Sequence, residues 1–332
     1  MTNLAKYLSI FLREYLPCER RASQHTCEAY AYTFQLLVCF IANCLKTKPS
    51  MLTIENLDVP TIVNFLNQLE TNRGNTPRTR NARLAAIKAF FRFLEYRLPT
   101  ALDQARRIHA IPMKKIDEKL VDFLTQNEMQ ALLNAPDQKA SSGIRDRAML
   151  YLAFAAGLRV SELVELRQNQ LELYPDPIIH VLGKGRRERV IPLWKETAIA
   201  LRAWLTIRPQ SATPSSALFL NSQGNPMTRS GFKYILSKHV TNAIIKQPSL
   251  AKKRISPHVL RHTCAMHTLQ ATHDIRKVSL WLGHADLKST EIYLRSDPTG
   301  KLEMLIATSP LSLKPGKFKA PDKLLAMLKA KK

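Results

Sequence analysis

Side chains that can bind a phosphate or transfer a proton recur through the second half of the sequence. In chain order they are Arg159, Lys184, His258, Arg261, His284 and Tyr293. Two guanidinium groups can bind the oxygens of a phosphodiester bidentately without a metal, and a histidine or lysine can transfer protons. A tyrosine oxygen can attack the phosphorus, forming an ester that a second hydroxyl later reverses without ATP. These residue types are suited to breaking and rejoining a phosphodiester through a covalent tyrosyl phosphate.

Taken singly, each of these residues has a simpler interpretation. Arg159 and Glu162 lie at positions i and i+3, a spacing that usually indicates a structural salt bridge on a helix. Lys184 between two glycines is typical of a solvated turn, and a lone tyrosine on a helix is more often a packing residue. Imidazoles also bind metals, but the residues near His258 include arginine and lysine, which repel cations. We therefore predict no metal and no cofactor.

The elements that must position these residues are mainly helices, with one small sheet. The runs PIIHVL and ERVIPL flank GKGRR and predict a hairpin with Lys184 at its tip. Gly157 interrupts an apolar helix just before Arg159, and Ser256 with Pro257 predicts the start of a later helix. Because no βαβ alternation is present, the sequence favours the α+β class over a doubly wound fold.

The composition favours a polyanionic partner. The 332 residues include 50 Lys and Arg against 26 Asp and Glu, a formal net charge of +24, so double-stranded DNA is the leading expectation. The sequence has no run of eighteen or more apolar residues that would indicate a membrane span. Five cysteines without a C-x-x-C spacing indicate free thiols in a reducing cytosol. We predict a cytoplasmic, nucleoid-associated protein with no membrane partner.

The length predicts two domains. Helical spacing of apolar positions predicts four helices over residues 1–97, within a first domain at 1–105. That spacing lapses between residues 98 and 124, and a basic linker is predicted at 106–124. The capping-box pattern TQNE opens a second domain over 125–308, and a C-terminal tail follows at 309–332. The fourth helix carries a basic run that no acidic residue within it balances. The expected DNA-contacting residues of this helix and the linker are Arg78, Arg80, Arg83, Lys88, Lys114 and Lys115.

The motifs R-x-x-E, GKG, H-x-x-R-H and L-G-H, with a tyrosine nine residues after the last histidine, form a joint pattern. In this pattern the chain resembles the tyrosine recombinases, or phage integrase family, and its layout is similar to two-domain Xer-type and transposon-borne integrases. The resemblance implies an N-terminal helical core-binding (SAM-like) domain and a catalytic domain. It implies a site-specific recombinase or integrase that cleaves and rejoins DNA through a 3′-phosphotyrosyl intermediate, independently of metal and ATP.

The resemblance also implies a role for each residue of the site. These roles are phosphate binding by Arg159 and Arg261, protonation of the leaving 5′-oxygen by Lys184, proton transfer and phosphate contact by His258 and His284, covalent attachment by Tyr293, and structural support by Glu162. A homotetramer is implied in the synaptic complex, with a monomer or weak dimer off DNA. The tail at 309–332 would dock on a neighbouring protomer or remain a frayed basic end.

Two alternatives stay open at this point. A type IB topoisomerase uses the same chemistry alone and relaxes supercoiled DNA without site preference. A DNA-binding regulator would keep the same residues without catalysis and bind mainly through phosphate contacts. The N-terminal helical domain favours recombination over relaxation, and the presence of all six residues favours catalysis over binding alone.

Overall fold

The computed structural model describes residues 3–117, 120–183, 188–209, 216–284 and 286–297. The chain divides into two compact units, Met1–Glu118 and Lys119–Lys332. The predicted hairpin tip at Lys184 and the predicted tail at 309–332 lie outside the described residues.

The described part of the first unit consists of helices joined by short turns. The α-helices are α1 (Leu4–Ile10), which continues as a π-helical segment (Phe11–Glu19), α2 (Gln24–Leu45), α3 (Val59–Arg73), α4 (Pro77–Arg97) and α5 (Leu102–His109). The side chains of Ser23, Asp58 and Thr76 each accept a backbone N–H at the start of α2, α3 and α4. Gly74 ends α3 with a φ of 61°, in the left-handed region that favours glycine.

Helix α5 lies where helical spacing lapses in the sequence. Its buried residues are Ala105 and Ile108, and it packs against α4. Two apolar anchors among charged residues are too few to produce a recognisable periodicity. The first unit therefore has one more helix than the four predicted.

Phenylalanine rings from three different segments meet in the core of the first unit. The ring of Phe90 on α4 lies 5.3 Å from that of Phe11 and 5.2 Å from that of Phe34, both centroid to centroid. These edge-to-face contacts fix α2 and α4 against the N-terminal segment. By length and composition α2 passes the criterion for a membrane-crossing helix, but Leu37 and Ile41 on it are buried in this core.

The described part of the second unit is mainly helical, with one antiparallel sheet in the order β1-β2-β3. Its elements are α6 (Gln126–Leu133), α7 (Ser141–Ala155), α8 (Val160–Glu165), β1 (Leu171–Glu172), β2 (Ile178–Leu182), β3 (Glu188–Pro192), α9 (Lys195–Ile207), α10 (Arg229–Lys246), α11 (Pro257–Thr272), α12 (Ile275–Leu282) and α13 (Lys288–Ser296). The predicted class, mainly α with a small β-sheet, is confirmed.

Local signals in the sequence set the boundaries of several of these elements. The predicted capping box is present, because Thr125 N donates to Glu128 Oε2 at 2.8 Å and Glu128 N donates to Thr125 Oγ1 at 3.3 Å. In the sheet Ile179 pairs with Ile191, and both face the core. Ser256 occupies the cap position before α11, although its side chain makes no capping hydrogen bond. Helix α7 is buried along nearly its whole length and forms the centre of the unit.

Candidate active site

Glu162 lies at the centre of a cluster of arginines at the start of α8. It is 8 % exposed. Arg159 occupies the cap position of α8, and its backbone N–H donates to Glu162 Oε2 at 3.0 Å. Arg159 Nη1 donates to the other oxygen, Oε1, at 2.7 Å. Burial by itself would raise the pKa of Glu162, but hydrogen bonds and charge from Arg189, with hydrogen bonds from Arg159, outweigh it and hold the pKa below its ordinary value.

Arg189 on β3 is a member of this cluster that the sequence analysis did not identify. Its Nη2 donates to Glu162 Oε2 at 2.8 Å, and its side chain is 9 % exposed. The signal was present in the strand, because Arg189 and Ile191 occupy alternate positions that face inward between exposed neighbours. An arginine at an inward position of a short strand needs a buried counter-charge, and here Glu162 supplies it.

Arg261 on α11 is held from two sides by backbone carbonyl groups. Its Nη1 donates to Gly157 O at 2.5 Å and its Nη2 donates to Leu282 O at 2.8 Å. Its Nη1 also lies 3.8 Å from Glu162 Oε2. Burial, together with the charge of Arg159, lowers the pKa of Arg261 to about 10, so the group remains charged at neutral pH.

Gly157 allows this close approach of α7, α11 and α12. Its φ is +56°, and a Cβ atom there would lie 2.6 Å from Leu282 Cδ2. A glycine is therefore needed both for the backbone conformation and for the contact. The helix interruption predicted at this position also places the carbonyl group that binds Arg261.

His284 follows Gly283, which ends α12 with a φ of +63°. Its Nδ1 lies 2.8 Å from Oγ1 of Thr290, a fully buried residue of α13. Burial, with the nearby charges of Arg261, Arg159 and then Arg189, lowers the pKa of His284 to about 4. The imidazole is therefore neutral at pH 7.

Tyr293 on α13 is 2 % exposed, and its ring packs among apolar residues of α11 and α12. Its hydroxyl lies 3.1 Å from Nδ1 of His262. Burial raises the pKa of Tyr293 to about 12 against the opposing effect of Arg261. Burial, with the charges of His258 and Arg261, lowers the pKa of His262 to about 4.

The structure brings together most of the predicted site. The charge of Arg159 affects the pKa of Arg261 and that of Tyr293, Arg261 and Tyr293 affect each other's pKa, and Arg261 also affects the pKa of His284. His258 is exposed on the first turn of α11, where it affects the ionisation of His262. The predicted role of Lys184 lies outside the described residues. Within the described ranges, no group of three or more His, Cys, Asp or Glu side chains could hold a metal ion.

Three of the four predicted DNA-contacting residues of α4 make contacts within their own unit. Arg80 is buried, with its Nε 3.6 Å from Glu70 Oε2. Arg83 Nη1 donates to Thr33 Oγ1 at 2.9 Å. Lys88 Nζ donates to the carbonyl oxygen of His109 at 2.9 Å and to that of Ile111 at 2.6 Å. Arg80 is paired with Glu70, although among the described residues its Nε and Nη1 have no hydrogen-bond partner. Arg83 and Lys88 are partly buried and donate to acceptors of their own unit. Their placement does not favour the predicted contact with DNA.

The remaining basic residues of that prediction lie at the surface. Lys114 is exposed, and its Nζ donates to Glu70 Oε2 on α3 at 2.7 Å. Arg78 and Lys115 are exposed. DNA contact by these two side chains stays a prediction.

Comparison with known proteins covers nearly the whole chain. Residues 122–299 match the model of the phage integrase family, and residues 11–97 match that of the phage integrase N-terminal SAM-like domain. The chain is 41% identical over 326 residues to a putative integrase/recombinase, y4rC, of Sinorhizobium fredii, with 98% of each chain covered. It is 31% identical over 298 residues to the tyrosine recombinase XerC of Bacillus licheniformis, with 88% of this chain and 92% of that one covered.

Two solved structures have a similar fold at low identity. The post-cleavage complex of the XerH site-specific recombinase with its palindromic difH substrate matches with a TM-score of 0.66 and 22% identity, covering 90% of this chain and 84% of that one. The Tn1549 transposon integrase in complex with circular intermediate DNA matches with a TM-score of 0.67 and 18% identity, covering 93% and 100%. Together with the sequence matches, these likenesses show that the chain belongs to the phage integrase family and is a tyrosine recombinase, an enzyme that cleaves and rejoins DNA in site-specific recombination.

Proposed function

We propose that this recombinase cleaves double-stranded DNA by attack of the Tyr293 hydroxyl on a phosphodiester, forming a 3′-phosphotyrosyl link and releasing a 5′-hydroxyl. The observation that carries the proposal is the gathering of three guanidinium groups around one carboxylate, two of which, those of Arg159 and Arg261, are close enough to affect the pKa of Tyr293. Arg159 and Arg189 pair with Glu162, and Arg261 lies 3.8 Å from the same carboxylate. A later attack by a 5′-hydroxyl on the phosphotyrosyl bond rejoins the strand.

The charge of this cluster is suited to a phosphate. Three positive charges and the one negative charge of Glu162 leave two positive charges in a largely buried site. A scissile phosphate carries one negative charge, and further charge develops on its oxygens as the tyrosine attacks. Fixed guanidinium groups stabilise that charge most strongly where water is excluded. We infer that Arg159 and Arg261 bind the phosphate and that Glu162 holds the cluster together.

Proton transfer to the leaving group is the second requirement of the reaction. Lys184 belongs to the segment that joins β2 to β3, and we infer that it protonates the departing 5′-oxygen. His284, which is neutral at pH 7, is suited to donate a hydrogen bond to a phosphate oxygen. The phosphotyrosyl ester conserves the energy of the broken bond, so the cycle needs neither ATP nor a metal.

The same proposal extends to the assembly and location of the enzyme. We infer a homotetramer on two DNA duplexes, a monomer or weak dimer off DNA, and a cytoplasmic, nucleoid-associated protein. The net charge of +24 supports DNA as the partner. Chemical crosslinking on synapsed DNA measures the assembly, and species limited to one or two protomers would contradict it.

Covalent capture on DNA tests the proposed chemistry. Fragmented DNA from the source organism is incubated with wild type or Tyr293→Phe, the protein is denatured, and the DNA that remains attached is sequenced. Tyr234→Phe is the matched control, because Tyr234 lies on α10 with 72% of its surface exposed. We expect attached DNA with wild type and with Tyr234→Phe, and none with Tyr293→Phe.

The pattern of attached ends separates the possible outcomes. Ends that share a motif support a site-specific recombinase and identify its target. Ends without a common motif, with relaxation of supercoiled plasmid, would favour a type IB topoisomerase. Attached DNA in the Tyr293→Phe variant would overturn Tyr293 as the nucleophile, and no attached DNA even with nicked substrates would favour a non-catalytic DNA-binding protein.

A further inference from the structure

The proposed function leaves open which group removes the proton of Tyr293. Among the hydrogen bonds of the described residues, the Tyr293 hydroxyl has one side-chain partner, Nδ1 of His262, at 3.1 Å. The two rings also pack edge to face, with centroids 5.6 Å apart and planes at 61°. The contact therefore involves both the polar atoms and the rings, and it fixes the position of the hydroxyl oxygen relative to the imidazole.

The other two histidines of the site are less well placed for this step. Nδ1 of His284 lies 2.8 Å from Thr290 Oγ1, so that nitrogen already has a partner. His258 is exposed at the start of α11 and makes no hydrogen bond to Tyr293 in the part of the chain that the structure describes. Geometry thus selects His262, although no catalytic role follows for it from the sequence motifs.

Helix α11 carries both a proposed phosphate-binding group, Arg261, and the group that contacts the nucleophile, His262. Arg261 and His262 are consecutive residues, so their side chains leave the helix about 100° apart. Arg261 faces the carbonyl groups of Gly157 and Leu282, whereas His262 faces α13 and the tyrosine. One turn of helix therefore fixes the phosphate-binding group relative to the group that contacts the nucleophile.

We propose that His262 is the catalytic residue that accepts the phenolic proton of Tyr293, an inference that rests on the proposed function. The O–H bond of Tyr293 breaks and its proton moves to the lone pair of His262 Nδ1, while the phenolic oxygen bonds to phosphorus. The bond from phosphorus to the 5′-oxygen breaks, and that oxygen takes a proton from Lys184. In the rejoining step the 5′-hydroxyl attacks phosphorus and its proton returns to the neutral Lys184. The bond from phosphorus to the tyrosine oxygen breaks, and His262 returns its proton to that oxygen.

The protonation states of the pair at pH 7 meet one requirement of this assignment. The groups around His262 are Asp122 before α6, His258 and Arg261 on α11, and Tyr293 on α13. Burial and the two positive neighbours lower the pKa of His262 to about 4, so its Nδ1 lone pair is available at pH 7, while Asp122 opposes this shift. The phenol, whose pKa burial raises to about 12, keeps its proton until the bond to phosphorus begins to form. Its oxygen then loses basicity, which allows the proton to pass to the imidazole.

Replacement of His262 by asparagine separates proton transfer from hydrogen bonding. Asparagine keeps an acceptor oxygen near the position of Nδ1 but does not take up a proton. His267→Asn is the matched control, because His267 is also a partly buried residue of α11, with its Nε2 2.9 Å from the carbonyl oxygen of Leu124. Single-turnover cleavage is measured from pH 6 to 9 on nicked duplex carrying the motif recovered by covalent capture.

We expect the wild type and His267→Asn to cleave at similar rates that vary little over this range. We expect His262→Asn to cleave about 100-fold more slowly at pH 7 and to accelerate about tenfold per pH unit, because hydroxide must then remove the proton. Added imidazole should speed cleavage by His262→Ala by filling the vacated space, and it should leave the wild type unchanged. A purely structural role for His262 would produce neither the pH slope nor the rescue.

Nuclear magnetic resonance of histidine-labelled protein tests the inference without DNA. We expect neutral His262 to carry its proton on Nε2 at pH 7, with Nδ1 accepting from Tyr293, and the Nδ1 shift to change in Tyr293→Phe. A proton on Nδ1 would overturn the assignment, because that nitrogen would then donate to the tyrosine.

The kinetic outcomes distinguish failure of this inference from failure of the proposed function. A His262→Asn rate and pH profile equal to those of His267→Asn, with Tyr293→Phe inactive, would overturn the inference alone. Faster cleavage by His262→Asn would also overturn it, since the contact would then restrain the tyrosine. Covalent adducts in Tyr293→Phe would overturn the proposed function itself.

Discussion

Replacement of Glu162 by glutamine tests whether one carboxylate holds the arginine cluster together. Glutamine keeps the size and one acceptor oxygen of the side chain but removes the negative charge. Arg159 and Arg189 then lose their shared partner, and Arg261 loses the nearest negative charge, at 3.8 Å. The effect on stability should therefore be that of breaking a buried ion pair.

The expected loss of stability follows from this burial. Breaking a buried pair from one side costs about 3–5 kcal/mol, because the remaining charges stay buried without compensation. For a unit of roughly 150–250 residues each kcal/mol lowers Tm by about 2–4 °C, so we expect a drop of about 6–20 °C. Glu165→Gln is the matched control on the same helix, since the Glu165 side chain is 70% exposed and lies 3.5 Å from Arg229. That exposed pair should contribute less than about 1 kcal/mol.

The difference between wild type and Glu162→Gln should also depend on pH. The pKa of Glu162 is lower in the folded protein than its ordinary value of 4.5, so its charge stabilises the fold above that pH. This contribution is lost as the pH falls through the folded pKa, and the two proteins should then converge in stability. Calorimetric scans at pH 7 and at successively lower pH measure both effects. Equal Tm values for Glu162→Gln and Glu165→Gln at pH 7 would refute the reasoning.

Three further predictions concern the backbone, the histidine and the metal independence of the site. Gly157→Ala should lower the free energy of unfolding by about 2–4 kcal/mol, because φ is +56° and the new Cβ would lie 2.6 Å from Leu282 Cδ2. Gly74→Ala is the control, since its φ is +61° but no atom lies within 4 Å of the new Cβ. It should lower the free energy of unfolding by about 1 kcal/mol in the same denaturation assay. Thr290→Val removes the hydrogen-bond partner of His284 Nδ1. The single-turnover cleavage rate should therefore fall, while DNA binding, measured by fluorescence anisotropy, is retained. Because the pKa of His284 is about 4, an NMR titration of the wild type should detect no change in its protonation between pH 6 and 8. Cleavage should persist in EDTA, since guanidinium groups supply the positive charge, and a strict Mg²⁺ requirement would contradict this mechanism.

The sequence carries more information about which residue types are present than about where their side chains point in the fold. Arg159, Glu162 and Arg261 could be selected because their types and spacing form the motifs R-x-x-E and H-x-x-R-H. Arg189 could not be selected in that way, since its partner Glu162 is 27 positions earlier and lies on a different element. Only the inward alternation of β3 indicated that this arginine faces the core.

The same limitation explains the basic residues of α4. A run of arginines and lysines on a helix predicts one charged face, but Arg80, Arg83 and Lys88 contact groups from α3, α2 and the segment around α5. Those partners are separated from α4 in the sequence, so helical periodicity carries no information about them. The capping box at Thr125 could be predicted because both of its partners lie within one turn of helix.

In the proposed mechanism, the contacts that hold the arginine cluster bear on how it lowers the barrier to cleavage. Each guanidinium group is fixed by acceptors of the protein: Glu162 for Arg159 and Arg189, and two carbonyl groups for Arg261. A guanidinium has more N–H donors than these contacts use, so donors remain for phosphate oxygens. Because the guanidinium groups are already ordered and partly desolvated, the free-energy cost of ordering and desolvating them does not add to the barrier. In the proposed mechanism the buried Glu162 therefore supports catalysis without touching the substrate, since without it mutual repulsion would separate the arginines.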